Sequence, residues 1–90
     1  MNKVDCSDII TIIEQLKIDF DINKVDVKEN LDDQGIDSLD LSNILFGIED
    51  FYNIQLDDES IDRGEWLSIE KIVNNLNRIL GERNDKQTGH

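Results

Sequence analysis

The stretch GIDSLDLSNILFGIEDFY, residues 35–52, sets one serine among carboxylates: Asp37 precedes Ser38 directly and Asp40 follows two positions later. A serine nucleophile needs a general base and oxyanion donors. The only histidine is His90, at the far end of the chain, and no lysine is close in sequence to Ser38. Neighbouring carboxylates do not activate a hydroxyl by themselves. The sequence also has no His/Cys cluster suited to zinc or iron and no phosphate-cradling glycine loop. No enzymatic activity is expected from these residues.

A calcium loop is the next chemistry to weigh. Counting from Asn30, the residues Asn30, Asp32, Gln34 and Gly35 occupy positions 1, 3, 5 and 6 of an EF-hand loop, but position 12, which needs a bidentate glutamate, is Leu41. A dedicated sensor does not fit; a weak calcium-binding module, or an unmodified acidic helical adaptor, stays open. The third chemistry is covalent modification. Ser38 falls in the first turn of a patterned helix, where free backbone N–H groups and the helix dipole favour an attached anion. The surrounding carboxylates oppose such an anion, so an enzyme would have to attach it.

The elements that must position Ser38 follow from apolar spacing. Ile9, Ile13, Leu16 and Phe20 recur at helical intervals and predict a first helix over 7–20, with Ser7 as N-cap and Asp8 in the first turn. Residues 21–37 are polar with isolated Ile22, Val25, Val27, Leu31 and Ile36, a long loop pinned by those side chains. The second helix spans 38–52, with Asp37 as N-cap and Asp40 three residues on. Leu41, Ile44, Leu45, Ile48, Phe51 and Tyr52 form its inward stripe. Leu39 and Phe46, seven apart, align on the opposite face beside Asn43 and Asp50, as a docking strip would. A short turn of helix over 59–64 ends at Gly64, and a last helix runs from Ser68, its N-cap, to a stop at Gly81. The fold class is all-α, a small four-helix bundle of three main helices and one short one. Residues 1–81 make a single domain and 82–90 a flexible tail, with His90 inside the tail.

Charge narrows the partners. Acids outnumber bases 21 to 9, for a net charge of −12. Residues 19–62 hold fourteen acids against Lys24 and Lys28, so this middle stretch carries the whole net charge. Such a field repels nucleic acid and anionic lipid and steers basic protein surfaces toward it. No apolar run has the length of a membrane span. The first residues, MNKVDCSD, hold no apolar leader core, so a cytoplasmic location is expected. Cys6 is alone, which excludes an internal disulfide.

Taken together, Asp37-Ser38-Leu39 opening the second helix, Gly35 two residues before the aspartate, the long first loop and the acidity resemble the acyl carrier proteins over about residues 7–80. The resemblance implies that Ser38 receives 4′-phosphopantetheine covalently from coenzyme A through a phosphopantetheinyl transferase, with Asp37 and Leu39 flanking the attachment point. The arm's thiol would then hold an acyl group as a thioester for fatty-acid, polyketide or specialised biosynthesis. The partner face implied is Leu39, Asp40, Asn43, Phe46, Glu49 and Asp50. Its partners would be an acyl- or aminoacyl-loading ligase and downstream acyl-transferring enzymes with basic docking surfaces. A freestanding, monomeric carrier is expected.

The chain departs from the family's housekeeping pattern. Asn43 stands where a glutamate is usual, Phe46 where a methionine is frequent, and Gly47 is unusual in mid-helix. Arg63 and Trp66 are similar to a stretch of D-alanyl carrier proteins, which keeps an aminoacyl cargo as the alternative; Trp66 could equally plug the bundle.

Overall fold

The computed structural model describes residues 3–18 and 20–88, with side chains described as far as Glu82. Four helices follow one another: α1 (Cys6–Gln15), α2 (Ser38–Tyr52), α3 (Asp58–Asp62) and α4 (Ile69–Thr88). Two short 3₁₀ turns, Ile22–Lys24 and Asp32–Gln34, punctuate the loop between α1 and α2. Among the described residues there is no strand, and the expected small all-α bundle is what forms.

Apolar spacing builds the core. Ile9, Ile12 and Ile13 of α1, Ile44, Leu45 and Ile48 of α2, and Ile69, Ile72 and Leu76 of α4 are all buried in one cluster. α1 packs against both α2 and α4. Leu31 and Ile36 from the long loop, Leu56 before α3 and Trp66 after it complete the interior. Trp66 therefore plugs the bundle: it is 3% exposed, and its indole N–H donates to Ser60 Oγ at 2.9 Å. Ser60 in turn donates to the Asp57 carbonyl at 2.7 Å, so α3 carries the partner that a buried indole requires.

The long loop is tied down rather than draped. The Leu31 amide donates to the Leu67 carbonyl at 2.7 Å, and the Glu70 amide to the Val27 carbonyl at 2.9 Å. Gln34 acts as a clasp, accepting from the Asp26 amide at 2.7 Å while its amide nitrogen donates to the carbonyls of Asp26 and Glu29. Gly35 then turns the chain at φ 103°, a conformation that side chains rarely adopt, and delivers Ile36 into the core immediately before the helix that begins at Ser38. Ahead of α1, Asn77 of α4 brackets Val4, accepting its amide at 2.8 Å and donating to its carbonyl at 3.0 Å.

Several boundaries differ from those the sequence predicts. The cap of α1 is Asp5, not Ser7; Asp5 and Asp8 exchange reciprocal side-chain and backbone bonds as a capping box. α1 stops at Gln15 rather than reaching Phe20, because Leu16 forms the C-cap and Lys17 adopts a left-handed φ of 55°. Phe51 does not join the core: it is 64% exposed, with its ring edge-on to Tyr52 at 4.9 Å. It lies at the rim of the inward stripe. α4 continues through Gly81 to Thr88, so that glycine is not a stop. It has open space around it, and its helix-forming neighbours outweigh its cost. The side chains of 83–90, including His90 of the expected tail, lie outside the described residues. α2 spans 38–52 as expected and Ser68 Oγ accepts the Lys71 amide at 3.1 Å, while the short helix covers Asp58–Asp62 rather than 59–64, with Gly64 turning at φ 77° just past it.

Candidate functional site

The site is the head and outer face of α2. Asp37, in extended conformation, accepts the Asp40 amide on its side chain at 2.8 Å and the Leu41 amide on its carbonyl at 2.9 Å. Capping is thereby complete without Ser38. Ser38 is exposed, and among the described residues no group engages its hydroxyl. The other serines near the core differ: Ser60 and Ser68 are buried and hydrogen-bonded. The Asp37 carboxylate, turned onto the Asp40 amide, is directed at the helix rather than at Ser38 Oγ. The amides of Ser38 and Leu39, in the first turn, have no acceptor within the helix.

Beyond Ser38 the strip expected from the sequence is present. Leu39 is 71% exposed and Phe46 63% exposed, so neither α3 nor a loop covers them. Asn43 and Asp50 are exposed along the same face, while Asp40, half-buried, lies on the neighbouring flank two turns before Gly47. Glu49 is placed differently from its neighbour Asp50. Its side chain accepts the Leu56 amide at 2.8 Å and so holds the α2–α3 connection in place. Between α2 and α3 lies an open groove of about 240 Å³, lined by Ser42, Leu45, Phe46, Glu49, Leu56, Asp58 and Ile61. Sequence reasoning missed this groove, because Leu56 and Ile61 are too far along the chain for a helical wheel to relate them to Phe46.

Part of the calcium reading's donor set is engaged elsewhere: Asp32 Oδ1 accepts the Asp33 amide at 3.0 Å. Gln34 Oε1 already accepts the Asp26 amide, and Asp32–Gln34 form a 3₁₀ turn. Leu41 is half-buried against the core. Among the described residues no group of three His, Cys, Asp or Glu side chains is gathered as a metal site.

The comparisons with known proteins bear on this geometry. Residues 9–75 match the family model described as the phosphopantetheine attachment site. The chain belongs to the acyl carrier protein family. A curated relative, the acyl carrier protein of Campylobacter jejuni (strain RM1221), is 32% identical over 68 residues, covering 76% of this chain and 84% of that protein. No solved structure gives a match.

The chain is thus a carrier protein of the kind that bears covalent 4′-phosphopantetheine, and such domains are served by a phosphopantetheinyl transferase and by pathway enzymes. Family members generally act as carriers rather than catalysts. The head of α2 fits a phosphodiester: an exposed, unengaged hydroxyl, first-turn amides beside it, and a neighbouring carboxylate already committed to the cap. No helix among the described residues is long and apolar enough to cross a membrane.

Proposed function

We propose that Ser38 is the residue that takes the phosphopantetheine arm, and that the outer face of α2 receives the enzymes that load and unload it. One observation carries this reading: Asp37 caps α2 in place of Ser38, so the serine at a helix start is free to present its hydroxyl to solvent. When attached, the arm supplies a thiol that holds an acyl group as a thioester. The chain's own residues then do three things. Asp37 fixes the helix start, Leu39 and Phe46 offer apolar contacts, and Asp40 and Asp50, with Asn43 between them, draw basic partner surfaces. Glu49 contributes by holding the α2–α3 connection that borders Phe46. The protein itself performs no bond chemistry in this reading, and its pathway is biosynthetic.

An aminoacyl cargo gains no specific support. Trp66 is a core residue bonded to Ser60, and Arg63 pairs with Glu65 at 2.7 Å. Both positions therefore have a packing or surface role within the fold itself. The test is direct: incubate the protein with coenzyme A, Mg²⁺ and a broad-specificity phosphopantetheinyl transferase, and take an intact mass. Wild type gains one phosphopantetheinyl unit and Ser38→Ala gains none; equal labelling of both, or none of either, contradicts the proposal.

A further inference from the structure

Among the described residues four large apolar side chains stand exposed: Leu16, Leu39, Phe46 and Phe51. Leu39 and Phe46 form the strip already described. The other two lie on a different flank of α2, the one facing α1. Leu16 rests over Gly47, its Cδ1 only 3.3 Å from where a Cβ on that glycine would stand, and Ile12 lies 3.7 Å from the same point. Phe51 is one turn beyond Gly47 on the same flank, about 6 Å along the axis. It is 64% exposed and Leu16 37%. The missing side chain at Gly47 lets Leu16 lie down on α2, so that an apolar surface runs from Leu16 to Phe51 along the seam between the two helices.

The border of this seam is acidic. Asp40 lies two turns before Gly47 on the same flank, and Asp8 lies two turns before Leu16 on α1, near enough to the end of α2 to act on the Tyr52 phenol. Lys17, beside Leu16, is a single opposing charge. A second copy of the chain would set one acidic border against another, with −12 on each molecule, so self-association is disfavoured. Complementarity points instead to a cationic partner.

We propose that the Leu16–Phe51 seam is a second docking surface, which receives an apolar side chain ringed by lysine or arginine on a partner protein. It is separate from the Leu39–Phe46 strip and does not depend on Ser38 bearing an arm. The test is an NMR titration of the ¹⁵N-labelled protein with a basic amphipathic leucine/arginine helical peptide, alongside a scrambled peptide of the same composition. The amides of Leu16, Gly47 and Phe51 shift with the amphipathic peptide and not with the scrambled one. Phe51→Ser and Leu16→Ser each weaken binding about tenfold, and Phe46→Ser leaves the seam shifts in place. Both substituted side chains are partly or largely exposed, and circular dichroism checks that the variants remain folded. Shifts confined to the Leu39–Phe46 strip, identical shifts with the scrambled peptide, or unchanged affinity in Phe51→Ser overturn the proposal. So does a dimer seen in sedimentation that Phe51→Ser abolishes, since the occupant is then a second copy. Labelling of Ser38 by the transferase is read separately, so the two proposals fail independently.

Discussion

Asp37 Oδ1 accepts the backbone amide of Asp40 at 2.8 Å, and this bond makes the residue before Ser38, not Ser38 itself, the cap of α2. The two jobs that one serine could have been asked to do are divided between neighbours. Asp37→Ala should destabilise the fold by about 1 kcal/mol, lowering the thermal midpoint by roughly 4–8 °C in a domain of this size. Asp37→Asn should recover most of that loss, and Ser38→Ala should leave the midpoint within a degree or so, since a free surface hydroxyl contributes little. Thermal unfolding followed by circular dichroism measures all three.

Gly47 sits in mid-helix, where alanine is favoured by about 1 kcal/mol. The opposing effect is the contact its Cβ would make with Leu16 Cδ1 at 3.3 Å. That atom is the free end of a side chain 37% exposed, which can swing outward. Gly47→Ala should therefore raise stability, by less than the full propensity gain, while increasing the exposure of Leu16. A fall in the denaturation midpoint would show that Leu16 is held rigidly against α2.

The bond from Trp66 Nε1 to Ser60 Oγ, 2.9 Å long and buried, joins α3 to the segment leading into α4. Ser60→Ala leaves the indole N–H without its acceptor, at a cost of about 1–3 kcal/mol. In a Trp66→Phe background the same substitution should cost distinctly less, because no donor is left unsatisfied. A double-mutant cycle in urea measures the difference as a coupling energy; no coupling would mean that water or another group satisfies the indole equally well.

The helix order, the position of α2 and the exposed Leu39–Phe46 strip were all legible from spacing alone. A helical wheel tests one face of one helix against its own sequence, and α2 has a strong stripe. What failed were features set by something across the fold. α1 ends at a left-handed Lys17, with no glycine or proline to mark it. Phe51 lies at the edge of the stripe, and a wheel of one helix does not show whether its neighbours cover that edge. Glu49 reads as surface acid until the Leu56 amide, seven residues on, is seen to claim it. Ser38 was legible as a site because Asp37 and Gly35 are local signals; the α2–α3 groove was not, because its walls meet only in three dimensions.

Two groups with shifted pKa values, Asp5 and Tyr52, bear on the pH response. The Ser7 hydroxyl, and then the Asp8 amide, hydrogen-bond the Asp5 carboxylate and hold it below the usual range. A depressed carboxyl contributes stability that is present above its ordinary range and lost as pH falls through its lowered value. Burial, with the nearby charges of Asp8 and Asp5, pushes the Tyr52 phenol up. The native state then holds that proton longer than the unfolded chain does, so its contribution is complete below the ordinary phenol range and is lost as pH rises beyond it. Asp5→Asn should flatten the acid limb of a stability–pH profile and Tyr52→Phe the alkaline limb. An acid limb unchanged by Asp5→Asn would remove the capping box from this account.

The central claim concerns one of five serines, Ser7, Ser38, Ser42, Ser60 and Ser68. After reaction with coenzyme A and a phosphopantetheinyl transferase, proteolysis and tandem mass spectrometry of the peptide containing Ser38 and Ser42 should place the whole modification on Ser38. Modification found on Ser42, which is also exposed and lies one turn along α2, or on any serine in the Ser38→Ala variant, would contradict it.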